Sequence, residues 1–482
     1  MGLKWQPRPS KTMNWLAISS FVRQLPSLAR SPFPNPTETP TPAMEFDLPQ
    51  PPSKVLDDDE LLAAETLLRV GFPTMLVCAD IMEGETPPAT AVAVSKVLDD
   101  DNLLAEILIR VGLPTTLVRA AAVCRRWLHH ASDRKFLRRF RELHPPRLLG
   151  LHVIEQGRFA WPTAERFVPM LPLPPELDAV VRRVSSSLGS YRRDDVRSTR
   201  VIDCRNGSLL IEHHMIEGSS RLGVHRLLFP EKGMTFVPAR PRPKIHSSVH
   251  AYQEEILTKE GEGGLSYLYM LVPYTREREH EVQVYMLKDG VWCMHPNLPV
   301  DGKLYLSRRP DEGPVLVDNK IYIAVDRSEI TVLDLTSLSF SETQLTQGVD
   351  RGGIGERSTS LARADAAGVY LIHVKELQIR LWLHKEGDWL LVDTICLREM
   401  LASLSMLGSN ASLRIKSVGD NAEFVFLEMG RCTLHLDVKY RTLRKVYEVT
   451  EEGAYLGDIY PVMMIWPPAF PALKDGPARG AM

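Results

Sequence analysis

From about Arg147 to residue 472 the chain is a long succession of short apolar runs, each broken by turn-forming residues. This is the pattern of an all-β region, and its extent constrains the fold more than any other feature. Ile379, Leu381 and Leu383 alternate with Arg380, Trp382 and His384, residues 385–388 supply turn formers, and 389–394 returns, which predicts a hairpin. Residues 424–427, 433–438 and 443–449 read as a three-stranded meander whose first turn lies at Met429-Gly430. Residues 315–317, 320–324, 330–335 and 339–345 repeat the habit. Roughly 325 residues of strand are too many for one ordinary sandwich, and a propeller or a large barrel relieves the exposed-edge problem. A propeller is the expected architecture, with the number of blades left open.

The first 52 residues hold 11 of the 36 prolines, a density that breaks backbone ladders and predicts a disordered leader. Its basic residues precede the first acid, Glu38, and Trp15, Ile18, Val22 and Leu25 recur at roughly helical spacing, so organelle targeting is an alternative to a plain extension. An internal repeat follows. The segment beginning at Ser53 realigns on the one beginning at Ser95, with 20 of 26 paired positions identical once an extra residue is allowed at Ala64. Two copies do not make a solenoid, and duplication of one short helical element is the simpler account.

The second copy reads as helices. Asp99, Asp100 and Asp101 place carboxylates where they cap free N–H groups and oppose the positive end of the helix dipole. Leu103, Leu104, Ile107, Leu108 and Val111 then form one apolar face. Gly112 is expected to end that helix in a left-handed conformation, and Leu113-Pro114 to open the next. Leu117, Ala120, Ala121, Cys124 and Leu128 give a second face, widened by Val118, Val123 and Trp127, and Phe136, Leu137 and Phe140 a third short helix. Three helices in some 45 residues bury too little apolar surface to be stable alone, so a partner surface is the natural completion.

Leu103-Leu104-Ala105-Glu106-Ile107-Leu108, Arg110, Leu113-Pro114, Leu117-Val118-Arg119 and Val123-Cys124-Arg125-Arg126-Trp127 resemble an F-box. The usual Leu-Pro opening is represented only by Leu98 before Asp99. A weaker resemblance links 201–207, Val-Ile-Asp-Cys-Arg-Asn-Gly, and Tyr460-Pro461-Val462-Met463 to inner and closing strands of the β-propeller-like F-box-associated domains common in plants. The resemblance implies α+β in separate domains: a Pro-rich leader over 1–52, a degenerate partial F-box duplicate and linker over 53–94, the F-box over 95–146, a β-rich recognition domain over 147–472 and a tail over 473–482. It further implies a non-catalytic substrate receptor of an SCF-type cullin–RING ubiquitin ligase. Such a receptor docks on a Skp-type adaptor, and through it a cullin, and presents a target protein. The implied adaptor contacts are Leu103, Leu104, Ile107, Leu108, Val111, Leu113, Pro114, Leu117, Val118, Val123, Cys124 and Trp127.

The alternative is an interaction scaffold whose helical hairpin packs internally. Net charge of −2 leaves any charge-driven partner a local affair. Basic residues from Arg119 to Arg147 suggest a solvated face or the complement of an acidic partner; interleaved aromatic stacking residues for single strands are lacking and no major-groove reader is recognisable, so no nucleic acid is expected. No cofactor or metal is nominated: His129-His130 and His213-His214 are adjacent pairs without ligand-spaced companions, and Gly352-Gly353-Ile354-Gly355 lacks the preceding strand of a dinucleotide fingerprint. Six scattered cysteines without a CxxC pair fit an intracellular location, cytoplasmic or nuclear, and no apolar run is long enough for a membrane helix.

Overall fold

A computed structural model describes residues 100–470, apart from 145–146, 158–161, 174, 190, 192–194, 242–250, 262–263, 275–278, 296–297, 302–312, 325–328, 346–348, 350–357, 365–367, 386, 407–411, 451–453 and 469. The expectations for the leader, the upstream repeat, Asp99, the Gly352 loop and the tail lie outside these residues.

The β-rich region is a six-bladed propeller. Blade 1 is β3 (Val196–Arg205), β4 (Ser208–Met215), β5 (Ser220–Arg226) and β6 (Met234–Phe236). Blade 2 is β7 (Ala251–Gly261), β8 (Gly264–Tyr274), β9 (Glu279–Lys288) and β10 (Val291–Met294), with β11 (Leu298–Asp301) also on β9. Blades 3 and 4 are β12 (Val315–Val317) to β15 (Ser339–Gln344) and β16 (Thr359–Arg363) to β19 (Asp388–Cys396). Blade 5 runs from β20 (Leu413–Val418) to β23 (Thr442–Glu448). In all five, consecutive antiparallel strands pass from one edge of the sheet to the other. Blade 6 is assembled from both ends of the propeller: β24 (Tyr455–Met463) pairs β1 (Leu148–Gln156), which pairs β2 (Pro162–Pro169). The segment expected to be the closing strand therefore closes the ring, hydrogen-bonded to the first strand. Successive first strands β3, β7, β12, β16, β20 and β24 touch one another around the axis, β24 returning to β3.

Each blade buries one apolar face against its neighbour. Leu210, Tyr269 and Leu271 fill the gap between blades 1 and 2, Met270 and Ile321 that between 2 and 3, and Ile330 and Val369 that between 3 and 4. Ile379 and Leu434 join blades 4 and 5, Val153 and Phe426 join 5 and 6, and Val462 and Leu209 join 6 and 1. Stacked sheets bury both faces of their middle strands, which is why β21 (Phe424–Met429) reads as an almost unbroken apolar run.

The hairpin at 379–394 is β18 (Gln378–Lys385) with β19, and Gly387 takes φ +97° in its turn. A helix that the sequence reading did not single out, Asp178–Ser187, follows β2 and buries Val184 among Leu149, Tyr460 and Leu209.

Between Asp101 and Leu143 stand four helices where three were expected: α1 (Asp101–Ile109), α2 (Pro114–Ala121), α3 (Arg125–Ser132) and α4 (Arg134–Leu143). The second face does not run on one helix. The chain leaves α2 at Ala122, and Cys124 is an extended, exposed N-cap of α3. One helix spanning α2 and α3 would be a rod of roughly 28 Å at 1.5 Å per residue and would be unable to fold back. The break lets α3 turn Trp127 and Ala131 inward against α1 and α2. The corner before α2 also differs from expectation. Gly112 is not left-handed; α1 ends at Arg110 (φ −84°), and Leu113 is extended (φ −132°, ψ 135°) because a residue before proline is driven out of the helical region.

Candidate functional site

The helical unit is the first candidate. Asp100 caps α1, its Oδ1 accepting from the amides of Asn102 (2.8 Å) and Leu103 (3.2 Å). Asp101 reaches across to α3, accepting from Arg126 Nε at 2.7 Å and lying 2.9 Å from His130 Nε2; these two bonds hold its carboxyl below the usual range. Asp133 caps α4 through the amides of Phe136 and Lys135, which lower it likewise. Arg139 on α4 donates to Glu106 on α1 at 2.5 Å. Polar ties thus hold α1 to α3 and to α4 at the surface, while apolar side chains fill the space between.

The twelve residues singled out in the sequence divide by exposure. Leu104, Ile107, Leu108, Val111, Pro114, Leu117 and Trp127 are buried. Leu104, Leu108 and Leu117 are fully so, in a core shared with Ala120, Ala131 and Phe140. Leu103, Leu113, Val118 and Val123 are half-buried, and Cys124 is exposed. Leu113 turns toward the propeller and packs on the cluster between blades 6 and 1. Of the twelve, Leu103 on α1 and Val118 and Cys124 around the α2–α3 break stay open, whereas Val123 packs on the helical core; outside the twelve, Leu143 at the end of α4 is exposed.

The propeller carries this unit through contacts that sequence reasoning missed. Trp466, just beyond β24, stacks on Phe140 of α4 with ring centroids 5.7 Å apart and planes 9° from parallel. Phe470 packs on the same helical core. Asn206, in the tight β3–β4 turn, takes φ +47° and Gly207 φ +66°, a conformation that asparagine and glycine tolerate best. Its side chain holds the backbone of Trp466. The Asn-Gly turn was legible in the sequence; that it grips a residue 260 positions away was not.

The second candidate is the cavity on the propeller axis, about 240 Å³, lined by first strands of all six blades and by Arg141 of α4 and Trp466. Arg205 Nη1 lies 3.1 Å from both carboxylate oxygens of Asp420, and Arg205 Nε lies 3.6 Å from Asp203. Burial would raise the Asp420 carboxyl, but Arg205 and Arg363, with a smaller pull from Arg141, hold it below the usual range. Glu255 differs: burial pushes its carboxyl up to about 7 against the pull of Arg200. Arg363 Nη2 donates to the Thr258 carbonyl at 2.5 Å, tying blade 4 to blade 2 across the axis. Ion pairs thus run through this lining. Among the described residues no group of His, Cys, Asp and Glu is arranged to hold a metal ion. His213 and His214 diverge as expected, His213 being buried beside Thr199 and Met234 and His214 half-exposed, whereas the rings of His129 and His130 meet edge-on with centroids 5.8 Å apart. No described helix is long and apolar enough to cross a membrane.

Residues 200–470 match the family model described as "F-box protein AT5G49610-like, beta-propeller". A comparison with curated proteins finds no match. Similar solved structures include a quinonprotein alcohol dehydrogenase-like protein from Bacteroides thetaiotaomicron, with TM-score 0.33, 8% identity, and coverage of 65% of this chain and 78% of that one. Another is the WD40 domain of SCAP from fission yeast, with TM-score 0.28, 9% identity, and coverage of 53% and 56%. A third is the glutaminyl cyclase of Myxococcus xanthus, with TM-score 0.24, 10% identity, and coverage of 55% and 97%.

Proposed function

Since the chain belongs to the F-box protein AT5G49610-like β-propeller family, we propose that it is a non-catalytic substrate receptor of an SCF-type ubiquitin ligase. In this reading the helical unit is an F-box that docks on a Skp-type adaptor, and the propeller holds a target protein. The observation that carries the reading is a small helical unit, fixed to a propeller of that family, whose half-buried Leu103 and Val118 stand outside its core cluster. The buried members of the motif shape that face from beneath, and Leu103, Val118 and Cys124 meet the adaptor. The chain contributes proximity: a target lysine held near a charged ubiquitin conjugate reacts as if the step were intramolecular.

A second reading, an interaction scaffold with an internally packed hairpin, draws support from the complete burial of Leu104, Leu108 and Leu117 inside the chain's own core. Mixing the purified full chain with a Skp-type adaptor separates the two. A stoichiometric complex that Val118→Asp abolishes supports the receptor; absence of any complex supports the scaffold.

A further inference from the structure

The sequence of α4, Arg-Lys-Phe-Leu-Arg-Arg-Phe-Arg-Glu-Leu, concentrates positive charge that the near-neutral chain as a whole does not have. Phe140 is fully buried and Phe136 and Leu137 half so, which sets the inward face. At 100° per residue, Arg134, Lys135, Arg138 and Arg139 then fall together on the opposite arc, interrupted by Glu142, and all are exposed. Of the nearby acids, Asp133 caps the helix, Asp101 serves Arg126 and His130, and Glu106 meets Arg139 of the row itself. Glu106 stands one turn from the half-open Leu103 on α1, so its bond to Arg139 brings the basic row beside the apolar docking face.

We propose that this row on α4 receives an acidic surface of the adaptor beside the apolar contact, so that charge steers the encounter; the inference rests on the docking reading above. A surface of cations adjoining Leu103 suits a protein partner better than a phosphate backbone. A nucleic acid would gain nothing from the leucine, and the aromatic rings of α4 are turned inward, away from any base that could stack on them. Charges at the rim of an interface chiefly set the association rate and its salt dependence.

The test uses the full chain and a purified Skp-type adaptor, with association and dissociation rates measured from 50 to 500 mM NaCl. We expect the association rate to fall at least tenfold over that range and the dissociation rate to change less than threefold. Lys135→Glu/Arg138→Glu should slow association at least tenfold at 50 mM and flatten or reverse its salt slope, and Lys135→Gln/Arg138→Gln should fall between. Both substitutions lie on the exposed arc, and an unchanged thermal melt checks that α4 survives. Binding with the same rates and salt slope in parent and Glu variant would overturn the inference while leaving the docking reading intact. If the parent does not bind the adaptor, both fail. Retention of a DNA or RNA duplex at 150 mM NaCl, lost in the Glu variant, would also overturn it by assigning the row to nucleic acid.

Discussion

Asn206 and Trp466 exchange two hydrogen bonds: the Asn206 Nδ2 donates to the Trp466 carbonyl at 3.0 Å, and the Trp466 amide donates to the Asn206 Oδ1 at 2.6 Å. A side chain in the first hairpin of blade 1 thereby fixes the backbone of a residue whose ring lies on the helical unit. The pair converts the end of the propeller into a mount.

Asn206→Gly keeps the φ +47° conformation open while removing both bonds, so its effect isolates the mount from the turn. The expected cost is about 1–3 kcal/mol, the usual range for a partly buried pair of bonds. Limited proteolysis should cut between the helical unit and β1 faster in this variant than in the parent. Equal cleavage rates would show that the stack on Phe140 suffices without Asn206.

Substitutions in the F-box-like motif should sort by burial. Leu104→Ala and Trp127→Ala empty a core in which these residues are 0% and 5% exposed, and should cost about 2–5 kcal/mol of stability. Leu103→Asp and Val118→Asp, at half-open positions, should leave the melting temperature within a few degrees and abolish adaptor binding. Melting curves measured beside a pull-down check this. If Val118→Asp binds as well as the parent, the docking face lies elsewhere.

Much of this fold was legible because several blades keep alternation at their outer strands and carry Gly or Asn at their turns. Blade 3 was read strand by strand, blade 5 without its first strand, and blade 4 only at its last hairpin. The blade number was hidden because middle strands buried on both faces lose the period of two, and because β6 is only 3 residues long. Blade 6 was half-visible: Tyr460 to Met463 read as a closing strand, but its pairing with β1 spans the entire propeller and leaves no local trace. In the helical unit the apolar positions were legible. Their division into inward and outward members was not, since it depends on the break at Cys124 and on Trp466 arriving from the far end of the chain.

Stability should bend with pH in two opposite senses. His435, 9% exposed beside Phe424 and Phe426, is pushed by burial from 6.5 to about 4. Neutral in the fold, it takes up a proton more readily in the unfolded chain, so stability drops as pH falls from about 6.5 to 4. Burial lowers His225 and His384 in the same direction. Glu255 acts oppositely: raised to about 7, it binds its proton more tightly when folded, and stability drops as pH rises from about 4.5 to 7. His435→Gln should flatten the acid limb by roughly 2–3 kcal/mol, and Glu255→Gln the neutral limb. Denaturant titrations at pH 4–8 measure both, and an unaltered acid limb in His435→Gln would remove that residue from the account.

The outer edge of blade 4 exposes Leu390, Leu391 and Val392 at 56%, 56% and 54% on an edge strand. Such an edge invites strand-to-strand association, and a lysine there is the natural guard. Leu391→Lys should lower light scattering of concentrated protein without shifting its melting temperature. Unchanged scattering would place self-association on another surface.

The most direct test of the central claim is sedimentation of the purified full chain with a Skp-type adaptor at physiological salt, for the parent and for Val118→Asp. The account predicts a one-to-one complex for the parent and separate species for the folded variant. A parent that sediments apart from the adaptor, or a variant that binds it equally well, would contradict the assignment of the helical unit as its docking module.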